Sequence, residues 1–421
     1  MFDKLSRKSG LYIDLFSGCG GLSLGLGKAG WNGLFAVEKD EMAFSTFKHN
    51  LLDSNDSHFQ WPSWLPQEAT TIQKLLKNYK DELSLLKGKV DLIAGGPPCQ
   101  GFSLAGQRNE SDPRNKLSHE YIKMVKIVEP SYLLLENVRG FNSSFKDTNG
   151  KKNKIPYSEV VKKRLERLGY KIFHSYVSSL DFGIPQTRTR FIMVGVKKSL
   201  YKKNTFNPFE NLYKLQPEFL SYKRLPQRYI SVGEAISDLE IDGKKLVYHS
   251  GGKSSPFYKL DYVKPNELSS YALLLREGFT EQTPNSMRLA RHRSSTVSKF
   301  KNIQSICTPG ISLNDELRAS IGTKKQAITV LNKQAPSKTL TTLPDDILHY
   351  SEPRILTVRE MARIQSFPDS FKFLGKYTTG GERRKMECPR YTQVGNAVPP
   401  LLGEALGYLI KTILLQTNTD C

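Results

Sequence analysis

VDLIAGGPPCQGFS, residues 90–103, decides how the chain is read. The apolar run Val90, Asp91, Leu92, Ile93, Ala94 feeds two glycines and two prolines before Cys99, a pattern that predicts a buried strand ending in a rigid turn. The thiol then stands at a strand's carboxyl end. Ligands of open α/β sheets bind along that edge, so a cysteine fixed there by consecutive prolines is placed to act as a nucleophile. A cysteine after a strand is also often no more than a small buried hydrophobe, and the rest of the chain has to decide between the two.

Composition narrows the choice. At 421 residues the chain can bury a large core in two domains. Its 62 Lys plus Arg against 41 Asp plus Glu give a net charge of +21, which favours a polyanionic partner, nucleic acid being the commonest for a basic protein. The apolar runs read as too short to span a bilayer and MFDKLSRKSG lacks the apolar core of a signal peptide, so a cytosolic protein is expected. Cys19, Cys99, Cys307, Cys388 and Cys421 are scattered without a C-x-x-C pair, suggesting neither a disulfide framework nor a zinc site.

Around the Cys99 turn the chain alternates strands and helices. Residues 11–16 form a short apolar strand running into Ser17, Gly18, Cys19, Gly20, Gly21 and a helix over 22–29. A strand, a glycine turn and a helix start leave backbone N–H groups free for a nucleotide-like ligand, the opening of a Rossmann-like α/β domain. A second strand, 34–37, ends in Glu38, 17 residues after Gly21, close to where a carboxylate would meet ribose hydroxyls. The glycines depart from G-x-G-x-x-G, so a dinucleotide is not the obvious ligand. Residues 100–117 have no periodicity and read as a lid or an ordinary long loop. A helix over 119–128 leads to a strand, 132–135, after which Glu136 follows the thiol by 37 residues and could serve as a general acid or bind a ring nitrogen. Strands over 171–177 and 190–196 flank QTRTR, in which Arg188 and Arg190, two apart, could present both guanidinium groups to one ligand or serve edge-strand ion pairs.

Beyond residue 197 the character changes. Between Lys197 and Arg228 there are eight basic residues against two acidic ones, interleaved with Tyr201, Phe206, Phe209, Tyr213, Phe219 and Tyr222, a composition that suits a surface tracking a phosphate backbone. Residues 288–301 carry five positive charges, among them Arg288, Arg291 and Arg293, which could contact phosphates or guanine edges. LTVREMARIQ (356–365) reads as a helix capped by Thr357, YTQVGNAVPP (391–400) as a turn, and 401–415 as an apolar helix that docks back on the sheet.

Six stretches together resemble the DNA (cytosine-5)-methyltransferases: DLFSGCGG from Asp14, GGPPCQGFS from Gly95, ENV from Glu136, QTRTR from Gln186, LTVREMARIQSFP from Leu356 and QVGNAVPP from Gln393, in the family's order. The resemblance implies an α/β fold: a Rossmann-like S-adenosylmethionine-dependent methyltransferase domain with a smaller loop-rich target-recognition domain. It places the catalytic and cofactor-binding domain at residues 1–199, the target-recognition domain and hinge at 200–389, and a segment returning to the catalytic domain at 390–421.

The same resemblance implies S-adenosyl-L-methionine as methyl donor. Phe16 would stack on the adenine, the turn at Gly18, Gly20 and Gly21 would take the methionine tail, Glu38 would hold the ribose, and Asn396 would close the site, with Pro98 and Val398 as further contacts. An acidic residue is expected near Ile72 to meet the adenine amino group, but this chain has Ala69, Thr70, Thr71. Cys99 would add to carbon 6 of a flipped-out cytosine, with Glu136, Arg190 and Arg188 as its catalytic partners, and Ser103, Arg288, Arg291 and Arg293 would contact DNA. The implied setting is a bacterial restriction-modification system. There a cytoplasmic, nucleoid-associated enzyme acts as a monomer on double-stranded DNA, and a cognate restriction endonuclease is its partner in function rather than in contact. The related enzymes that methylate transfer RNA carry Cys-Phe-Thr, which is absent here.

Overall fold

The computed structural model describes residues 2–6, 9–98, 117–143, 155–201, 207–249, 257–381 and 386–418. It contains a six-stranded sheet of β1 (Leu11–Leu15), β2 (Asn32–Val37), β3 (Leu92–Gly95), β4 (Tyr132–Val138), β5 (Tyr170–Ser178) and β6 (Thr189–Lys197), in the order β2-β1-β3-β4-β6-β5. The first four strands run parallel, and β6 lies antiparallel to both β4 and β5. LYIDL, LIAG and the first residues of YLLLENV are nearly continuous apolar runs because helices cover both faces of a parallel sheet. Ile13, Ile93, Leu133 and Met193 meet Tyr121, Val125 and Val161 in one buried cluster. The expected Rossmann-like α/β architecture is present. Neighbouring β1 and β3 send their chains to opposite sides, and the carboxyl ends of the parallel strands converge there, where such sheets bind ligands.

The chain divides into two compact units. The first comprises Met1–Ser178, Thr189–Phe219 and Leu402–Cys421, so the sheet unit is built from both ends of the sequence. The helix Pro400–Asn418 closes it: Trp31 is fully buried and its indole N–H donates to Gly407 O at 3.0 Å, while the Lys411 ammonium donates to Leu5 O at 3.0 Å. A β-carbon at Gly407 would stand 2.8 Å from that of Ala29, so a residue without a side chain is required for this approach. The stretch Arg390–Leu414 is long and apolar enough by length and composition to cross a membrane, contrary to the sequence expectation, but 83 % of its apolar window is buried inside the protein.

The second unit comprises Ser179–Arg188 and Leu220–Leu401. It holds short helices, a hairpin of β7 (Leu246–His249) and β8 (Phe257–Leu260), and the capped helix Val358–Ile364. Thr357 and Glu360 form the expected N-terminal cap as a reciprocal box. That helix is buried throughout, polar side chains included. Arg363 meets Asp238 at 2.5 Å and Asp369 at 2.8 Å, Arg354 meets Glu360 at 2.7 Å, and Arg359 donates to the carbonyls of Asn285, Pro368 and Phe371. Each buried guanidinium is thus matched to acceptors, as a charge removed from water requires.

Two sequence expectations fail here. Arg390–Asn396 is a helix, not a turn. Phe209 and Phe219 in the basic stretch are buried, 5 % and 1 % exposed, on one side of the helix Pro208–Tyr222, where Phe219 packs on Phe2; they belong to the core and not to a stacking surface.

Candidate active site

The chain reverses sharply as it leaves β1. Phe16, Gly18 and Gly20 take positive φ values of 64°, 57° and 96°, and Gly21 begins the helix Gly21–Lys28. Only Phe16 of the three carries a β-carbon in this left-handed region, a conformation that costs about 1–3 kcal/mol and recurs at ligand sites. The ring is half-buried beside the main core cluster. Beneath the turn Asp14 is buried, and Ser23 donates to its Oδ2 at 2.6 Å. Asp14 Oδ1 and Ser17 Oγ are buried without a hydrogen-bond partner among the described residues, leaving two polar atoms for a ligand. Burial pushes the Asp14 carboxyl up to about 7, with the nearby Glu38 charge adding to the effect.

Glu38, just past β2, reaches back to this turn. Its Oε2 accepts from Gly18 N at 3.0 Å and its Oε1 from Asp40 N at 2.8 Å. Desolvation raises its pKa, partly offset by these N–H donors. Each oxygen keeps a lone pair, so the carboxylate can accept further bonds from a diol. Thr70 donates its N–H to Glu38 O at 2.7 Å, which ties the Ala69 to Thr71 segment to this corner. Thr71 spends its hydroxyl as the cap of Ile72–Asn78. The acceptors and open glycine turn suit an adenosine carrying a short amino-acid tail.

After β3, the turn that leads to Cys99 is held by β4. Asn137 Nδ2 donates to Pro97 O at 3.1 Å, and a β-carbon at Gly96 would lie 3.2 Å from Glu136 Oε2. Glu136 therefore stands against Gly96 and Asn137 against Pro97, and Pro98, next in sequence, is half-buried. The expectation that Glu136 follows its strand is corrected: β4 runs to Val138, with Glu136 paired to Ile192 and Val138 to Arg190. Glu136 and Arg190 are thus diagonal neighbours on one face, and Arg190 Nε lies 2.9 Å from Glu136 Oε1. Both side chains are 12 % exposed, so the pair is largely dry yet reachable. Cys99, Ser103 and the expected lid lie outside the described residues. Cys19 sits in the glycine turn, where burial pushes its thiol up to about 12 and makes it a poor nucleophile.

Arg188 does not join Arg190. β6 begins at Thr189, so strand alternation does not govern residue 188, and Arg188 is buried. It donates to Gly395 O at 3.1 Å and Asn396 O at 3.4 Å, the end of the helix Arg390–Asn396. The reading of two guanidinium groups offered to one ligand is therefore corrected: Arg188 is spent on backbone carbonyls. Nearby, Gln186 Nε2 donates to Gln365 Oε1 at 2.8 Å, Gln365 Nε2 to Val394 O at 2.8 Å, and Leu340 N to Gln186 Oε1 at 2.9 Å. The QTRTR, ARIQ and QVGN stretches are stitched together by these buried amides. Asn396 is exposed and Val398 half-buried.

Of the three basic DNA-contact candidates in the second unit, Arg291 and Arg293 are exposed and Arg288 is half-buried. Sequence reasoning missed Asp14, Ser23, Asn137, Gln186 and Gln365, because their partners are set by the fold rather than by spacing.

Residues 11–412 match the family described as C-5 cytosine-specific DNA methylase. The chain belongs to that family. The match covers nearly all of this sequence, and a C-5 cytosine-specific DNA methylase of this kind is a DNA (cytosine-5)-methyltransferase. Relatives agree in extent: the Type II methyltransferase M.DdeI of Desulfomicrobium norvegicum is 31 % identical over 96 % of this chain and 89 % of its own length. Type II methyltransferase M1.HphI of Haemophilus parahaemolyticus is 31 % identical over 97 % and 87 %. Among solved structures, a chain described as a DNA modification methyltransferase encoded within an E. coli prophage superposes with a TM-score of 0.60 at 24 % identity, covering 96 % of this chain and 99 % of that one. The S. pombe Dnmt2 methyltransferase gives 0.52 at 16 %, covering 98 % and 100 %. These likenesses show that the methylase fold is shared.

Proposed function

We propose that this methyltransferase transfers the methyl group of S-adenosylmethionine to carbon 5 of a cytosine flipped out of a specific duplex DNA sequence, through a covalent bond between Cys99 and carbon 6. The observation that carries the reading is the Glu136 and Arg190 pair, with Glu136 standing against Gly96 in the turn that leads to Cys99. Carbon 5 is too weak a nucleophile to take a methyl group directly. Addition of the Cys99 thiolate at carbon 6 pushes an electron pair onto carbon 5. After methyl transfer, loss of the carbon 5 proton and departure of the sulfur restore the ring and the free thiolate. Glu136 would hold ring nitrogen N3 and Arg190 the O2 oxygen, so charge developing on the base meets fixed partners. A stacked duplex denies this access, so the base must be extruded at a cost of a few kcal/mol.

The donor, when bound, supplies an electrophilic methyl group on sulfur. This chain's residues would orient it: Glu38 at the ribose, Phe16 on the adenine, and the turn of Gly18, Gly20 and Gly21, with Asp14 and Ser17 beneath it, at the tail. Pro98, Asn396 and Val398 would complete the site. Residues 200–389 would read the target, with Ser103, Arg291 and Arg293 on DNA phosphates or sugars. We assign the protein to the modification arm of a Type II restriction-modification system, acting in the cytoplasm as a monomer on DNA, with a cognate endonuclease cutting the unmodified site.

A duplex carrying 5-fluorocytosine at the target tests the chemistry, because fluorine cannot leave carbon 5 as a proton does. With S-adenosylmethionine present, an irreversible protein–DNA adduct should form and map to Cys99, and Cys99→Ala should form none. An adduct through another residue, or full methylation by Cys99→Ala, overturns the mechanism.

A further inference from the structure

Arg288 is held differently from every buried arginine described above. It lies beside the hairpin: it forms an isolated antiparallel bridge with Lys259, and Leu289 N donates to Tyr258 O at 2.8 Å. Arg288 therefore shares a face with Phe257, two residues before Lys259 on β8. Its guanidinium carbon stands 3.9 Å from the Phe257 ring centroid and 3.9 Å from that of Tyr377. Tyr377 is itself fixed. Arg390 packs on its ring at 4.2 Å and donates to its hydroxyl at 2.8 Å, and the same Arg390 anchors to Ser286 Oγ at 3.0 Å and Gly375 O at 2.9 Å.

Arg288 has ring partners but, among the described residues, no acceptor. Among the described residues no carboxylate or carbonyl accepts from it, whereas Arg354, Arg359 and Arg363 are all matched to acceptors. None of its nitrogens is both buried and unpartnered, so its N–H groups reach solvent and can be offered to a ligand. The aromatic rings of Phe257 and Tyr377 pack on the guanidinium without accepting from its N–H groups and restrict how the planar group can move. A phosphate needs no such arrangement, since an exposed cation such as Arg293 reaches it from solvent. A fixed planar fork matches a pair of acceptors at set spacing, and in the major groove the O6 and N7 of guanine supply that pair.

We propose that Arg288 is a specificity-determining residue that reads one guanine of the target site through its N–H edge, with Phe257 and Tyr377 holding it in position. This rests on the reading of the second unit as the target-recognition region.

The test is methylation of a duplex library with randomised bases around cytosine, scored by bisulfite sequencing for the wild type, Arg288→Ala, Arg288→Lys, Phe257→Leu, Arg291→Ala and Arg293→Ala. Arg288→Ala should lose discrimination at a single G·C pair by about 5- to 150-fold, and Arg288→Lys should fail to restore it because a point charge lacks the fork. Phe257→Leu, which leaves every charge in place, should relax the same position and decides the matter if Arg288→Ala does not fold. Arg291→Ala and Arg293→Ala should lower methylation evenly across sequences and each reduce the salt slope by about 1. Wild-type specificity in Arg288→Lys, or an even loss across sequences in Arg288→Ala and Phe257→Leu, overturns the proposal. A wild-type enzyme that methylates cytosine without sequence preference overturns the target-recognition reading beneath it.

Discussion

Arg190 Nε lies 2.9 Å from Glu136 Oε1, across two antiparallel strands and on one face of the sheet. The sheet's register thus sets this pair: moving either strand by one residue would turn one partner to the opposite face. If the pair stabilises the reacting base, Glu136→Gln and Arg190→Ala should each lower the single-turnover methylation rate about 10²–10⁴-fold while S-adenosylmethionine affinity changes little. Rapid-quench methylation alongside calorimetry separates the two effects. A rate within threefold of wild type would remove either residue from the chemistry.

Glu38 couples the cofactor corner to the glycine turn through its bonds to Gly18 N and Asp40 N. Glu38→Ala should raise the dissociation constant for S-adenosylmethionine about 10- to 100-fold, the range expected for lost hydrogen bonds to a charged group. DNA affinity, measured by anisotropy without cofactor, should stay within twofold.

Asp14 makes stability depend on pH. Its carboxyl has an ordinary value of 3.8 and is pushed by burial to about 7. Between these values the unfolded chain releases the proton and the folded chain keeps it, so the folded state is favoured at low pH and loses that advantage as pH rises toward 7. The full loss is on the order of 4 kcal/mol. The melting temperature of cofactor-free protein should fall across this window, and Asp14→Asn should flatten the slope. An unchanged slope in the variant would show that another group carries it.

Gly395 and Arg188 anchor the QVGN helix. A β-carbon at Gly395 would sit 2.4 Å from Thr341 O, a backbone atom that cannot yield cheaply. Gly395→Ala should cost about 1–3 kcal/mol in urea unfolding, as overpacking does. Arg188→Ala should cost a similar amount by leaving the carbonyls of Gly395 and Asn396 unmatched, and Arg188→Lys should recover only part of it.

Much of the sheet was legible because strands buried on both faces read as unbroken apolar runs, and the turns after β1 and β3 are marked by glycine and proline. The place of Glu38 beside the glycine turn was legible from its distance to the glycines. The misreadings share a cause in long-range partners. Gln186 and Gln365 lie 179 residues apart and bond directly, a link with no local signature. Arg188 was paired with Arg190 by their spacing of two, but β6 starts at Thr189 and leaves Arg188 outside the strand. Gly395 and Asn396 suggested a turn, yet the glycine is there for Thr341 and the segment is helical. Phe209 and Phe219 appeared among lysines, but one side of an amphipathic helix takes them inward.

Trp31 near the start of the chain is covered by Gly407 near its end, and this constrains synthesis. A ribosome must deliver nearly the whole polypeptide before the indole acquires its lid, so the nascent methyltransferase core stays open while the intervening segment emerges. Premature termination anywhere before Pro400 would therefore release an unfinished sheet unit instead of a smaller working enzyme.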